Sequence, residues 1–521
     1  DCSLIYGTNA VGKSSLIKSI GINIILAQSG NYVPSTNFEQ RMGSREGSQS
    51  HHFQFATDHR TIRAGRTVLE SLYHICIDCF GNRDHFTAHM ESIIIKKALV
   101  LDPQSDHHGQ VRDICIESGT ITAIAPELQA SPDAALWQAD GAAISTGWMD
   151  LQSHFYDPGA EHKEGLKNGA AAGANGGFTH VVLNVNPETK PDNKSAVAFL
   201  QSQANDFDCT IRPMANISQQ AAGKSLSEMR DLAGAGAVAF SDDAPMNQTE
   251  MLRRALEYAC ELVQPVISFP LDLGLNSGAQ MHEGVTSTHM GVTGNPAESE
   301  VMRIQRDLEV VKYTEGRLHF SVISSAESVE LIRAAKARGL KVTCATTANH
   351  LRFIDEDLHG FDGTLKVMPP FRGKSDRQAL RLGVLDGTID AVVSDHRPED
   401  LEHHDVEFSI ANFGMACIES TFAVALDALE SESQEEALNA LVRALSEGPR
   451  RVLGMEKHPI MPGQKANLTW FHPKQLWKNA SITRGANVAP SRALHENEGH
   501  ENALNGNPLG TIRGIKSFRR D

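Results

Sequence analysis

Basic residues, cysteines and long apolar runs are all scarce in this 521-residue sequence. Lys and Arg total 48 against 64 Asp and Glu, a formal net charge of −16 at pH 7. A surface that acidic repels phosphate backbones, which excludes non-specific nucleic-acid binding by the molecule as a whole. No apolar run reaches the roughly 20 residues of a membrane-spanning helix. The opening Asp1-Cys2-Ser3 also lacks the basic-then-apolar pattern of a secretory signal. Eight cysteines scattered from Cys2 to Cys417 make no disulfide framework, so reduced thiols in a cytoplasmic setting are expected. What remains, 40% hydrophobic and 21% charged residues, is an ordinary globular composition. At about 150 residues per domain, the length predicts two to four domains.

The texture divides into three parts. Residues 1–36 form an apolar-rich strand, glycine loop and helix, and 37–89 has the Gly/Ser/Gln/His composition of a disordered linker. From Met90 the pattern changes. Residues 92–101 and 111–124 read as strands with a hairpin turn at Gly119. Between 148 and 458, short apolar runs alternate with helical stretches. The runs are 148–154, 178–185, 209–215, 236–241, 265–269, 317–323, 340–346 and 388–394. Eight strands over this length predict an α/β fold of the (β/α)8 barrel type, with a six-stranded doubly wound sheet as the competing arrangement. The flanks, 91–147 and 459–515, are left to build a small β-sandwich domain from both chain ends.

Barrel enzymes carry their reactive groups at the C-terminal ends of the strands. Here those ends hold Asp150, Gln152 and His154, then Asn186, then Asp242 and Asp243, and finally Asp395 and His396, with Arg372 just before the last strand. Convergence of a His, several carboxylates and an Arg on one rim suggests a metal or acid/base site for an anionic substrate. An Asp that follows a strand can instead simply cap the next helix. His282, His289 and His350 fall in barrel loops that could approach the rim, whereas the adjacent pairs His51-His52, His107-His108 and His403-His404 read as solvated loop.

The run Asp150-x-Gln152-x-His154-Phe155-Tyr156-Asp157-Pro158-Gly159 resembles the dihydroorotase signature D-x-H-x-H-(L/F)-R-(E/D)-P-G. Further matches follow in order: Asn186, Gly236 through Asp243, Glu283-Gly284, Lys366 through Arg372, Ser394-Asp395-His396-Arg397-Pro398, and Gly463 through Thr469. The resemblance spans about 91–515. It implies an amidohydrolase barrel in which zinc activates the water that interconverts N-carbamoyl-aspartate and dihydroorotate. It also implies Asp395 as general base, Asn186, Arg372 and His396 as substrate contacts, and His154, Asp242 or Asp243, and Asp395 on the metal side.

The departures fall on the metal. Gln152, Phe269 and Val322 stand where the resemblance implies metal-binding histidines, and Tyr156 and Met368 replace an Arg and an Asn. A catalytic zinc takes about three protein ligands and keeps one position open for water. Phe and Val offer no lone pair, so a two-zinc centre is not expected and the remaining site is weak or vacant. The expectation is a catalytically degenerate dihydroorotase-like protein. The alternatives are an active enzyme with a rearranged or mononuclear zinc site, and a non-catalytic scaffold for aspartate carbamoyltransferase or a homo-oligomer.

Gly7-Thr8-Asn9-Ala10-Val11-Gly12-Lys13-Ser14 fits the phosphate loop G-x-x-x-x-G-K-[ST] between a strand and a helix. In that motif Gly7 and Gly12 shape the cradle, Lys13 meets the terminal phosphates and Ser14 meets magnesium. Residues 4–35 resemble the ATPase domain of the MutS mismatch-repair family, but only over this short stretch. A lone strand–loop–helix cannot bury its own apolar face, so neither independent folding nor ATP/Mg turnover is expected. With no Met at position 1, the expectation is a fragment joined upstream of a second reading frame starting at Met90. Cys76 and Cys79 lack a second pair for a zinc knuckle.

Overall fold

A computed structural model of the protein describes residues 92–186, 188–429, 433–477, 504–513 and 516–519, with the short strands Cys2–Ser3 and His52–Phe53. The chain divides into two units, Asp1–Asp84 and His85–Asp521. In the first, Cys2–Ser3 pairs antiparallel with His52–Phe53. Gly7, Gly12, Lys13, Ser14, Cys76, Cys79, Met90 and the 37–89 stretch apart from 52–53 lie outside the described residues.

In the second unit both flanks contribute to one sheet. Its strands are Ser92–Leu101 (β1), Val111–Glu117 (β2), Thr120–Ala125 (β3), Ala135–Gln138 (β4) and Ala143–Thr146 (β5) from the N-terminal flank. Asn467–Leu476, Asn505–Arg513 and Lys516–Arg519 come from the C-terminal flank. Where the sequence suggested a sandwich, hydrogen bonds join these eight strands into a single sheet. The reason is Asn467–Leu476, which pairs antiparallel with β5 on one edge and with Asn505–Arg513 on the other. Ile93, Ile95, Ile114, Trp137, Trp470 and Ile512 form its core, with the two indole rings 5.4 Å apart.

The segment between the flanks alternates strand and helix. Trp148–Ser153 (β6), Phe178–Leu183 (β7) and Thr210–Pro213 (β8) lie parallel in one sheet. Val266–Ser268 (β9), Leu318–Phe320 (β10), Val342–Thr347 (β11) and Ala391–Val393 (β12) form a second parallel run. Phe240 joins the two, pairing parallel with Ala215 and with Val266. At the far edge Ser153 pairs parallel with His396, just past β12, and His154 N donates to His396 O at 2.8 Å. The parallel succession therefore returns to its first strand. The predicted run 236–241 forms only a bridge at Phe240, with Val238 N also donating to Pro213 O at 3.0 Å, and Asp243 soon turns the backbone to φ 48°.

Burial on both faces explains why several of these strands, such as Val266–Ser268 and Ala391–Val393, read as short apolar runs, while the polar residues Asp150 and Gln152 of β6 are themselves buried. Every residue of β6 and β7 is buried. Successive side chains point to opposite faces. Val182, Met214, Ala239, Ile267, Val322 and Ala391 join one cluster, while their neighbours Val181, Ile211, Phe240, Val266, Phe320 and Val392 pack in another with the helices. Those helices include Leu166–Asn175, Thr249–Ala259, Glu298–Thr314, Ala326–Ala337 and Lys374–Asp386. The helix Glu447–Leu453 adds Val452 and Leu453 to the first cluster. It sits close because residue 448 is glycine, where a Cβ would fall 1.8 Å from Asp390 O.

Candidate active site

The exits of β6, of the Phe240 segment and of β12 meet in one polar cluster. From β6 come Gln152 and His154, from beyond Phe240 comes Asp243, and from β12 come Asp395 and Arg397. Arg397 links the two carboxylates, with Nη2 donating to Asp243 Oδ1 at 2.9 Å and Nε to Asp395 Oδ1 at 3.0 Å. Gln152 Nε2 donates to Asp395 Oδ1 at 2.7 Å, and Asn184 Nδ2 to Asp243 Oδ1 at 2.7 Å. His154 Nε2 lies 3.1 Å from Asp243 Oδ2. Tyr156 stacks on the His154 ring at 5.4 Å, and the Lys163 ammonium lies 4.7 Å from the Tyr156 ring centre. Asp150 binds Ser153 and Ser394 beneath this layer, tying β6 to β12.

Three of these residues hold left-handed backbones: Tyr156 at φ 54°, Asp243 at 48° and Asp395 at 47°. Such conformations cost non-glycine residues about 1–3 kcal/mol each, so the surrounding contacts fix them in place. Electrostatics supplies much of that fixing. Burial pushes the Asp243 pKa up, but the Arg397 guanidinium and His154 overcome it and hold the carboxyl well below the usual range. Burial likewise opposes the charge on Arg397, yet Asp243 and Asp395 outweigh it and raise its pKa. Burial raises the Tyr156 phenol above its ordinary value, so it stays protonated. Asp150, fully enclosed, is pushed up to about 6 by burial against its serine hydrogen bonds.

The other residues singled out in the sequence sit elsewhere. Asp242 turns from the cluster, its carboxylate accepting from Ser218 N at 3.0 Å and Ser218 Oγ at 2.5 Å. The left-handed turn at Asp243 separates these adjacent side chains, so Asp243 alone of the pair reaches the cluster. Arg372 is buried at 2% exposure and fully engaged by Ser324 Oγ, His282 Nδ1, and Asn295 O and Oδ1. Asn186 spans Pro158 O and Glu188 N. His396 Nδ1 accepts from Cys417 N at 3.1 Å. The groups expected to grip substrate are thus committed to holding loops. His282 meets Arg372, His350 bridges Thr347 Oγ1 and Pro369 O, and His289 is exposed. Burial lowers the His350 pKa to about 4. None of Asp242, Asp243 and Asp395 caps a helix among the described residues.

A cavity of about 400 Å³ opens above the cluster, lined by Asp243, Asp395, Arg397, Phe269, Met368 and Phe413 among others. Arg397 went unrecognised in the sequence as a site residue. Its signal was position: two residues beyond Asp395, just past the end of β12, where barrel enzymes carry reactive groups.

A family model described as dihydro-orotase-like matches residues 141–328. A dihydroorotase of Syntrophus aciditrophicus is 37% identical over 388 residues, covering 74% of this chain and 90% of that protein. The chain belongs to the dihydroorotase family. The Solibacter usitatus dihydroorotase is 34% identical over 434 residues, covering 82% of this chain and 98% of the relative. Among solved structures, the L-hydantoinase (dihydropyrimidinase) of Arthrobacter aurescens superposes with a TM-score of 0.68 at 19% identity, covering 81% of this chain and 94% of the other. The D-hydantoinase of a Thermus species gives 0.66 at 20%, covering 82% and 95%. These two establish a shared fold.

The zinc implied by the dihydroorotase resemblance does not fit the donors present. Phe269 lines the cavity and Val322 is fully buried in the inner apolar cluster, and neither has a lone pair. Gln152 turns its amide N–H toward Asp395. The carboxylates of Asp243 and Asp395 already face a fixed guanidinium. A second cation placed there would meet Arg397 at close range.

Proposed function

We propose that this protein is a dihydroorotase-like (β/α)8 barrel of pyrimidine biosynthesis whose reactive end is catalytically degenerate. The parallel strand succession that returns from His396 to Ser153 supports the barrel. The observation that carries the functional reading is Arg397 bridging Asp243 and Asp395, a permanent internal cation between the carboxylates where metal chemistry was expected. Without an agent that lowers the pKa of water from 15.7 toward about 7, cyclic amide hydrolysis lacks its nucleophile. Asp395 accepts from both Gln152 and Arg397 on one oxygen, Oδ1, so a general-base role would fall to its other oxygen.

The test is metal content and dihydroorotate turnover of the full chain purified after growth with zinc. The expected result is well under one zinc per chain and no turnover above a protein-free control. Two zincs per chain with steady turnover would overturn the reading in favour of an active enzyme with a rearranged centre.

A further inference from the structure

A second polar cleft lies away from the carboxylate cluster, between the end of β1 and the helices Gln434–Leu445 and Glu447–Leu453. It measures about 520 Å³ to its open mouth, and its walls include Asp102, Arg443, Glu447, Arg450, Lys457 and His458. In a chain of net charge −16, this is a locally basic place. Its two carboxylates are already occupied. Asp102 accepts from Gln104 N at 3.0 Å and from Ile460 N at 2.8 Å, while Glu447 pairs with Lys457.

Arg450 is the anomaly. It is only 4% exposed. Its Nη1 donates to Ser446 O at 2.7 Å, and Nη2 has no partner among the described residues. Asp102 lends long-range attraction but forms no ion pair with it, and burial brings the Arg450 pKa down to about 10. A buried cation without a close counter-charge is costly, so a mobile anion that supplied one would be held. The surroundings add to this. His180, on β7, is disfavoured as a cation by its burial and then by Arg450, Arg212, Arg513 and His458.

We propose that this cleft binds a small phosphate-type dianion, inorganic phosphate or a phosphomonoester, with Arg450 as its principal contact and His458 at the mouth. A guanidinium matches phosphate oxygens through paired N–H donors, and a cleft of several hundred cubic ångströms suits a small phosphorylated metabolite. The site is independent of whether the carboxylate cluster retains any catalysis.

Isothermal titration calorimetry on the full chain tests it, first with inorganic phosphate and then with ribose 5-phosphate, at constant ionic strength set by chloride. Saturable phosphate binding is expected, weakened at least about tenfold in Arg450→Met and partly restored in Arg450→Lys. His458→Glu changes an exposed side chain, so it should leave the melting temperature unchanged while also weakening binding about tenfold. Tighter binding of the sugar phosphate identifies a phosphomonoester as the ligand, and equal or weaker binding identifies inorganic phosphate. Absence of saturable phosphate binding, or a His458→Glu protein that binds as well as the parent, overturns the proposal.

Discussion

Arg397→Met keeps side-chain bulk at the centre of the cluster and removes the charge. Each carboxylate contact at about 3 Å carries roughly 5 kcal/mol of attraction at an effective dielectric of 20, most of it offset by desolvation. What the variant exposes is the remainder: Asp243 and Asp395 left facing one another without their cation. An orphaned buried charge costs about 3–5 kcal/mol. The Arg397 side chain is 21% exposed, which admits some water and favours the lower end, about 3 kcal/mol. The sign with pH follows from Asp243. In the parent its pKa is depressed, so its contribution is complete above the unfolded value near 3.9 and is lost only as pH falls below that. In the variant, burial is opposed by His154 without the guanidinium, so the folded pKa rises and acidification relieves the strain. The deficit should therefore shrink between about pH 7 and pH 4.5. Urea unfolding of parent and variant at both ends of that range measures it. A loss under about 1 kcal/mol at neutral pH, or one that does not change with pH, would refute the view of Arg397 as the cluster's structural cation.

Two further outcomes are expected. Introducing histidine through Gln152→His, Phe269→His and Val322→His should create no tight zinc site while Arg397 remains, and adding Arg397→Ala should allow stoichiometric zinc by atomic emission; tight binding without that fourth change would contradict the competition between the two cations. Asp150, with its pKa raised to about 6 against about 3.9 unfolded, holds its proton longer in the folded state, so it lowers stability as pH rises through that interval, by about 3 kcal/mol in all. Asp150→Asn should flatten the urea-midpoint profile there, and an unaltered slope would assign the effect to other groups.

Much of the strand order was legible in the sequence because strands buried on both faces are rich in apolar residues, and the polar residues that β6 and β7 do carry, such as Asp150 and His180, are buried with them. The segment 236–241 was less so, since its length in the sheet depends on a turn at Asp243 that composition does not reveal. At the site, the residue types Gln152, Phe269 and Val322 already spoke against zinc ligation. The direction of side chains was not legible. Arg372 and Asn186 have the right chemistry for gripping an anion but are spent on loops, while Arg397, overlooked, lies among the carboxylates. Identity along a chain does not say which of several satisfied partners a guanidinium will choose.

The sheet built from both flanks has a consequence for synthesis. Trp148 N, next to β5, awaits Thr469 Oγ1, 321 residues later in the chain. At translation rates of about 5–20 residues per second, β5 leaves the ribosome roughly 15–60 s before the strand that covers its edge. For that interval the nascent chain carries an open, apolar sheet edge, the kind of surface on which neighbouring chains pair. The completed sheet is thus a late event by construction, and crowding of nascent chains is the condition under which this protein is most exposed to misassembly.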